Sequence, residues 1–450
     1  MNRNRSLTPL LPSALAFALS AAFVLPVQAQ SLVELYESAR VYDAAFQSAR
    51  SAYDGNLARA EQSKAGLYPT ANLGVGATRN QFRASPTLPP TLVNRYYTTE
   101  TAGVNATQPL YRPANLATYE QGKRQIDLAQ AALDAAEQDL IVRVSQAYFD
   151  VLASQDSLAF VKAQKAAVGE QLASAKRNFE VGTSTITDAR EAQARFDLVI
   201  AQEIAAENDL RVKKIALDQL VGKSGVTPTP LATPAQLPAL QGDTVDPWVQ
   251  ASEQAHPGIR QAQLNLEVAK LETEKAEAGH KPTLDLTAGY NVTRNSNGSS
   301  NSVVDSKVTV GSIGLAFNLP LFAGYATQNR IKETLALEDK ARNDLEGARR
   351  AVAQSTRTAY FGVVSGLGQV KALEAAESSS QSALDANKLG YTVGVRINID
   401  VLNSQSQLFQ TKRDLAKARY DVLVGGLKLR QANGTLRADD LKSVNSLLAK

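Results

Sequence analysis

The sequence predicts an α+β protein built twice from the same series of elements, with four strands joined to very long helices. The first observation is an internal repeat: residues 179–193 (FEVGTSTITDAREAQ) and 391–405 (YTVGVRINIDVLNSQ) share a Val-Gly pair, an Asp and a Gln at a constant spacing of 212 residues. The second is a proline-free heptad pattern over 114–180, which predicts a helix of roughly 100 Å. Each Val-Gly ends a helical pattern and each Asp begins the next, so each copy predicts a long helical hairpin.

The N-terminus carries the pattern of an export signal. A basic start, MNRNR, precedes an apolar run over 10–27, and Val27-Gln28-Ala29 forms a small-x-Ala cleavage pattern. We interpret residues 1–29 as a signal peptide. The alternative, an uncleaved anchor, is disfavoured because the run is short and contains two prolines.

Composition excludes several classes of protein. The chain has 450 residues, 44% of them hydrophobic and 20% charged, which suits two domain-sized units. It contains no cysteine, which excludes disulfides, thiolate metal sites and a lipidated N-terminal Cys. The net charge is +4, but the basic residues do not cluster on one face, so no nucleic-acid partner is expected. His256 and His280 are isolated and no catalytic arrangement stands out, so we expect no structural metal, no cofactor and no enzyme.

The pattern divides the exported chain into two repeats. The first repeat covers 30–224 and predicts, in order, a helix (31–66), two strands (70–78 and 101–107), the long helix (114–180) and a return helix (188–221). A linker rich in Pro and Thr covers 225–242. The second repeat covers 243–436 and predicts a helix (245–279), two strands (283–293 and 307–318), a second long helix and a return helix; residues 437–450 form a C-terminal tail.

The connections between the predicted strands are loops at 81–97 and 295–305. The apolar alternation of the fourth strand slips between Val310 and Ile313, which indicates either a β-bulge there or an error in the register assigned to that strand.

The four strands carry apolar residues on one face and small or polar residues on the other, the period of outer-membrane strands. Four strands cannot close a barrel, and an open edge cannot face lipid. If the strands are in a membrane, other copies of the chain must therefore complete the barrel. The alternative is a small soluble sandwich flanked by helices, against which stand the export signal and the polar face around Asp285.

The order of elements resembles that of the TolC family of outer-membrane channel proteins, over nearly the whole exported chain from 31 to 441. The residues that carry the resemblance are the run 279–287 (GHKPTLDLT), Ala147-Tyr148-Phe149 and the two Val-Gly segments. The resemblance implies a homotrimer in the outer membrane, with a 12-stranded β-barrel continued by a coiled-coil tunnel in the periplasm. It implies an exit duct for drug efflux or type I protein secretion that works with a periplasmic adaptor and an inner-membrane translocase.

The resemblance also implies a gate at the periplasmic helix tips. In the family, a Tyr and an Arg on the second tip hold the gate shut through bonds to an Asp and a Thr on the first. The matching residues are Tyr391, Arg396, Asp188 and Thr187. A secondary link in the family joins a Gln to a Glu, and here the positions hold Gln171 and Lys388, which alters the chemistry of that link.

Asp400 matches the pore-facing aspartate of the family, whereas Asn403 stands where the family has a second aspartate. The resemblance implies an anionic ring of three Asp400 side chains that attracts cations and is a possible site of block by multivalent metal ions. With Asn403 in place of a second ring, we expect weaker block. The alternative reading of Asp188 and Asp400 is helix capping alone, because both open a helix.

A protein of a different class remains as the alternative for the whole chain: a periplasmic coiled-coil adaptor or scaffold of an export system. Such a protein needs one helical hairpin, a β-rich globular domain and a membrane anchor. Two hairpins and four strands with a lipid-type pattern favour the duct.

Overall fold

The computed structural model describes residues 29–85, 93–232, 237–238, 240 and 244–449. The elements are α1 (Leu32–Tyr42), α2 (Ala44–Lys64), β1 (Thr70–Ala84), β2 (Val93–Tyr111), α3 (Pro113–Glu180), α4 (Ile186–Val221), α5 (Asp246–Ala255), α6 (Pro257–Glu277), β3 (Thr283–Ser296), β4 (Ser306–Asn318), α7 (Ala326–Thr392), α8 (Asn398–Ala432) and α9 (Asp440–Asn445). This order repeats once along the chain, as the sequence predicts. The predicted signal peptide, except its last residue, and part of the predicted linker lie outside the described residues.

Two helices that the sequence predicts as continuous are each divided in two. The predicted helix 31–66 breaks at Asp43, whose backbone is extended and whose carboxylate accepts a hydrogen bond from the Phe46 amide at 3.5 Å, as a cap of α2. The predicted helix 245–279 breaks at His256, because Pro257 disfavours a helical residue before it and itself begins α6. Local capping and proline chemistry therefore override the helical composition of both segments.

All four strands form one antiparallel sheet in the order β1-β2-β3-β4. The prediction of a loop over 81–97 is wrong at both ends, because β1 and β2 pair continuously from Thr70↔Thr107 to Ala84↔Val93. The predicted bulge between Val310 and Ile313 is also wrong, since β3 and β4 pair without a shift. Apolar residues simply change sides there. The sheet's register shift lies instead where β2 meets β3, at Pro109, which has no N–H to donate.

The register separates the sheet into two faces of different chemistry. Directly opposed residues share a face, so the pairs Leu73↔Val104 and Val104↔Tyr290 place apolar side chains together. The same face holds Val75, Ile313, Leu315 and Phe317, which are exposed in the single chain, whereas Val308 and Val310 lie on the opposite face. The opposite face carries Asn72, Asn105 and Asn291. One face of the sheet therefore suits lipid and the other suits water.

The helices run away from one end of this sheet. Helix α3 begins two residues after β2 and has 68 residues, so its far end lies roughly 100 Å from the strands. It returns as α4, and α7 returns as α8 in the same way. The two hairpins pack through α3 against α8, which leaves α4 and α7 as the outer helices of the row. Near the sheet the row continues as α2, α3, α6 and α7.

A hydrophobic core lies partway along the long helices and is built mainly from α1, α3, α8 and α9. Phe149 of α3 stacks on Tyr420 of α8 with ring centroids 5.6 Å apart, and both are buried. Residues 437–449 of the predicted tail belong to this core through Leu441, which is fully buried. Arg143 clamps the break between α1 and α2 by donating to both carboxylate oxygens of Asp43 at 3.1 and 3.0 Å. The core thus fixes the position from which both hairpins extend.

Candidate functional site

The two hairpin tips have the same backbone. Gly182 and Gly394 follow the long helices with φ of 78° and 81°, the left-handed conformation that glycine adopts without a steric penalty. The amide of Thr183 then donates to Asn178 O at 2.8 Å, and the amide of Val395 donates to Gly390 O at 2.9 Å. These bonds are related by the repeat spacing, so the sequence repeat is also a repeat of turn geometry.

The first tip closes on itself through Asp188. Thr185 is the N-cap of α4 and Asp188 is its third residue, so the predicted opening of the helix at Asp188 begins two residues earlier, at Ile186. The Asp188 Oδ2 atom accepts from Ser184 Oγ at 2.7 Å, from Thr185 Oγ1 at 2.8 Å and from Thr185 N at 3.0 Å. The Ser184 hydroxyl, followed by the Thr185 amide and hydroxyl, lowers the pKa of Asp188 against the opposing effect of its partial burial.

The second tip has the same backbone and a different set of caps. Its N-cap is Ile397, which has no side-chain oxygen, so Asp400 at the third position of α8 has no capping-box partner. Asp400 lies instead 3.6 Å from Arg396 Nη1, in an ion pair that is partly exposed on both sides. Gly390 supports this arrangement, because a Cβ there would lie 2.6 Å from Arg396 Cγ.

A polar cleft of about 880 Å³ separates the two tips. Five of the predicted gate residues line it: Gln171, Asp188, Lys388, Tyr391 and Arg396. The bonds across it run through Asn398, which is 1% exposed. Gln171 donates to Asn398 Oδ1, and Asn398 Nδ2 donates to the Asp188 carbonyl at 3.3 Å.

A third bond across the cleft joins Asn178 Nδ2 to the Tyr391 hydroxyl at 3.3 Å. The two hairpins of one chain are thus tied together by polar side chains at their far end. In all, three hydrogen bonds join the first hairpin to the second tip: two involve α3 and one involves the start of α4.

The expected latch partners do not bond directly within one chain. Among the described contacts, none joins Tyr391 or Arg396 to Thr187 or Asp188: Asp188 bonds within its own tip, Arg396 pairs with Asp400, and Thr187 is exposed. In the secondary pair, Gln171 bonds Asn398 rather than Lys388, and the Lys388 side chain is exposed.

At the predicted constriction, Asn403 is also engaged, since its Oδ1 accepts from Arg195 Nη2 at 2.8 Å. A positive side chain of α4 therefore lies one helical turn from Asp400, a feature that the sequence analysis did not anticipate.

Asn398 is the residue of the tips that sequence reasoning missed. Its position in the first repeat is occupied by Ile186, so the sequence did contain a signal: a polar residue where the other copy is apolar. Asn178 and Arg195 gave no such signal, because they read as ordinary polar residues of helix surfaces.

These two-faced strands and paired hairpins define a class of protein, the outer membrane efflux proteins. The model of that family matches residues 35–223 and 248–435, one match within each predicted repeat. The chain belongs to this family, which confirms the resemblance seen in the sequence.

Individual relatives extend over almost the full length. The chain is 33% identical over 442 residues to the outer membrane protein TolC of Vibrio cholerae, covering 98% of each. It is 28% identical to the proteases secretion protein PrtF of Dickeya chrysanthemi, covering 92% of this chain and 90% of the relative. The crystal structure of the Campylobacter jejuni CmeC outer membrane channel has the same fold, with a TM-score of 0.75, 16% identity and coverage of 99% and 98%.

The protein is an outer-membrane channel component, and this location confirms the prediction from the sequence. Within the described part of the chain, no helix combines the length and the apolar character needed to cross a membrane. Those residues also hold no group of three or more side chains suited to bind a metal ion.

Proposed function

We propose that three copies of the chain form an exit duct, with one 12-stranded barrel in the outer membrane and one helical tunnel in the periplasm. The observation that carries this proposal is the sheet itself: four strands with one apolar face, and with β1 and β4 left as edges. An open edge in lipid leaves backbone N–H and C=O groups unpaired at a cost of several kcal/mol each. Pairing β4 of one copy with β1 of the next removes every edge at once.

The internal repeat supports the arrangement of helices between copies. Phe149 of α3 is covered by α8 of its own chain, whereas its repeat counterpart Phe361 of α7 is 57% exposed. In the repeat, α7 is the counterpart of α3 and α4 is the counterpart of α8. The contact between α3 and α8 within one chain would therefore recur between α7 of one copy and α4 of the next. The outer surface of α4 carries exposed apolar side chains that a neighbouring α7 would cover: Leu198, Ile204, Val212 and Ile215. A ring of three chains therefore buries the apolar surface on both outer helices.

The tips close the duct in this proposal. Within each chain, the bonds through Asn398 and Tyr391 hold the two hairpins together. Thr187 and Arg396 are exposed and take no part in those bonds, so in this proposal they meet the tips of a neighbouring copy, where Asp188 completes the latch. Charge-assisted bonds of this kind contribute about 1.5 to 3 kcal/mol each when protected from water, and less when wet.

Behind the latch, the Asp400 ring forms the constriction, with a partly compensated charge because Arg396 pairs with each carboxylate. Multivalent cations would bind there weakly, since Asn403 adds no second ring.

The partners follow from the same architecture. The relative named for protease secretion and the family named for efflux suggest that the duct carries proteins or small molecules. In this proposal an inner-membrane translocase delivers them and a periplasmic adaptor docks at the tips. The duct supplies a route and performs no chemistry of its own.

Two measurements test the proposal. The purified protein should have the mass of a trimer in mild detergent and give channels in planar bilayers. Changing Tyr391→Phe together with Arg396→Ser should raise a small wild-type conductance several-fold. Trimers with an unchanged conductance would keep the duct and remove the latch, whereas folded trimers without channels would return the chain to the adaptor or scaffold alternative.

A further inference from the structure

The lipid-type face of the sheet ends in a band of charge at the side away from the helices. The register aligns Val75, Ala102, Val292 and Thr309 in one row across the four strands, and Ala77, Glu100, Arg294 and Lys307 in the next. Two residues further on, the same face carries Arg79 of β1, and four residues beyond that Arg83. Four basic side chains and one acidic side chain thus follow directly on the apolar rows.

The position of this band fits the outer boundary of the membrane. From Leu284 to Val292 the outward residues of β3 are apolar, a rise of roughly 27 Å along the strand and about 20 Å along the membrane normal at a usual barrel tilt. That is close to the height of an outward apolar band in outer-membrane barrels, about 25 Å. The helices leave from the other end of the strands, so the charged row lies at the extracellular leaflet.

Arg294 and Lys307 form an arrangement that calls for an anion. They are directly opposed on neighbouring strands, where Cβ atoms lie about 5 Å apart and like charges destabilise the pair. Both side chains are exposed, and no described ion pair or hydrogen bond includes either of them. Glu100 opposes Arg294 from the other strand but forms no described ion pair with it, so one acid stands against two bases in the row.

One aromatic side chain, Tyr96, marks the same boundary. Tyr96 lies on the same face, is 54% exposed, and its ring centroid lies 5.7 Å from Arg79 Cζ. An exposed Tyr with a cation over its ring is typical of the level of the lipid headgroups, where one end of the side chain is apolar and the other is wet.

We propose that Arg294 and Lys307 form a binding site for the phosphate group of an outer-leaflet lipid headgroup, once in each copy of the chain. A phosphate between the two opposed cations turns their repulsion into two charge-assisted bonds, and the acyl chains of the same lipid lie along the apolar rows below. This inference rests on the proposed function, because the face meets lipid only when the barrel is closed.

The test measures lipids retained by the purified full-length protein, using native mass spectrometry in micelles doped with a bisphosphorylated glucosamine-based lipid or with its dephosphorylated form. We expect retention of the phosphorylated lipid to exceed that of the dephosphorylated one about tenfold. Arg294→Gln/Lys307→Gln should abolish the difference. The exchanged pair Arg294→Lys/Lys307→Arg keeps both positive charges and should keep the preference for the phosphorylated lipid. This variant still tests the site if the neutral variant fails to assemble.

Arg349→Gln/Arg357→Gln on α7 is the matched control, because it removes the same charge from exposed residues with no described ion pair, and it should retain the lipid like the wild type. Equal retention of both lipids by the wild type, or an equal loss in the α7 control, would overturn the site. If millimolar inorganic phosphate displaces the lipid, the site binds free phosphate rather than a lipid headgroup, which would contradict the proposed occupant. Conductance of each variant separates the two proposals: a channel that conducts normally but loses the lipid leaves the duct intact, whereas trimers without channels count against the barrel.

Discussion

The two hairpin tips have the same backbone conformation but differ in the side chains that bond to it. In the first tip, Thr185 and Asp188 bond each other reciprocally, and Ser184 adds a third bond to the carboxylate. In the second tip, Ile397 occupies the capping position, so Asp400 turns to Arg396 across an exposed 3.6 Å ion pair. The first tip is complete by itself, whereas the second depends on what surrounds it.

This difference indicates which tip moves. A tip whose polar groups are satisfied locally keeps its shape whether or not its neighbours are present. The second tip is bonded to the first through Asn398 and Tyr391. We therefore expect the first hairpin to act as the fixed wall of the gate and the second as the part that swings.

The largest expected effect on the stability of a tip comes from giving the second tip the residue of the first at position 390, four residues before Gly394. Position 178 holds Asn and position 390 holds Gly, and the space for a side chain at 390 is filled by Arg396. Gly390→Asn should destabilise the second tip by about 1–3 kcal/mol, because the new side chain displaces Arg396 from Asp400. Hydrogen exchange at the start of α8 measures this. Gly182→Ala and Gly394→Ala are controls, since both add the same left-handed strain in open space and should affect their tips equally.

An exchange of capping residues should reverse the contrast. Thr185→Ala should destabilise the start of α4 by about 1 kcal/mol, because the amide of Asp188 loses its partner. Ile397→Thr should stabilise the start of α8 by a similar amount, since it offers a hydroxyl to the Asp400 amide. Exchange rates that change at neither helix start would show that the caps do not distinguish the tips.

Acid should loosen the first tip only at low pH. Bonds from Ser184 and Thr185 lower the pKa of Asp188 in the folded protein. The stability that these bonds add to the tip is therefore fully present above the ordinary pKa of an Asp, and it is lost as the pH falls through the lowered pKa. Protection of the Thr185 amide, measured as its exchange relative to the intrinsic rate at the same pH, should therefore hold at pH 5 and fall below about pH 4. In Asp188→Asn this fall in protection should vanish; a fall that persists in the variant would assign the titration to another group.

The smallest expected effect concerns the proposed constriction at Asp400 and Asn403. Asn403→Asp places a carboxylate beside Arg195, and an exposed pair of this kind contributes less than about 1 kcal/mol. Because the new charge is compensated, block by trivalent cations should tighten only slightly. Arg195→Gln/Asn403→Asp should tighten it far more, and equal block in the single and double variants would exclude a role for Arg195.

The sequence was sufficient for the repeats, the long helices and the family, because heptads and alternation persist over many residues and average out local exceptions. It was insufficient where polar residues leave the pattern: β1 and β2 extend through 81–84 and 93–97, where the outward residues are no longer apolar. Helix breaks at Asp43 and His256 depend on single caps and one proline. The bonds of Asn398 depend on how one hairpin lies against the other, which no local pattern encodes.

Single-channel conductance of Asn398→Ala in planar bilayers tests most directly whether the bonds between the tips hold the duct closed. Asn387→Ala is the matched control, because Asn387 donates to Ser404 Oγ at 2.6 Å within the second hairpin and does not reach the first. We predict a conductance several times that of the wild type for Asn398→Ala and a wild-type value for Asn387→Ala. Equal conductance in the wild type and both variants would contradict a gate held by the bonds between the tips.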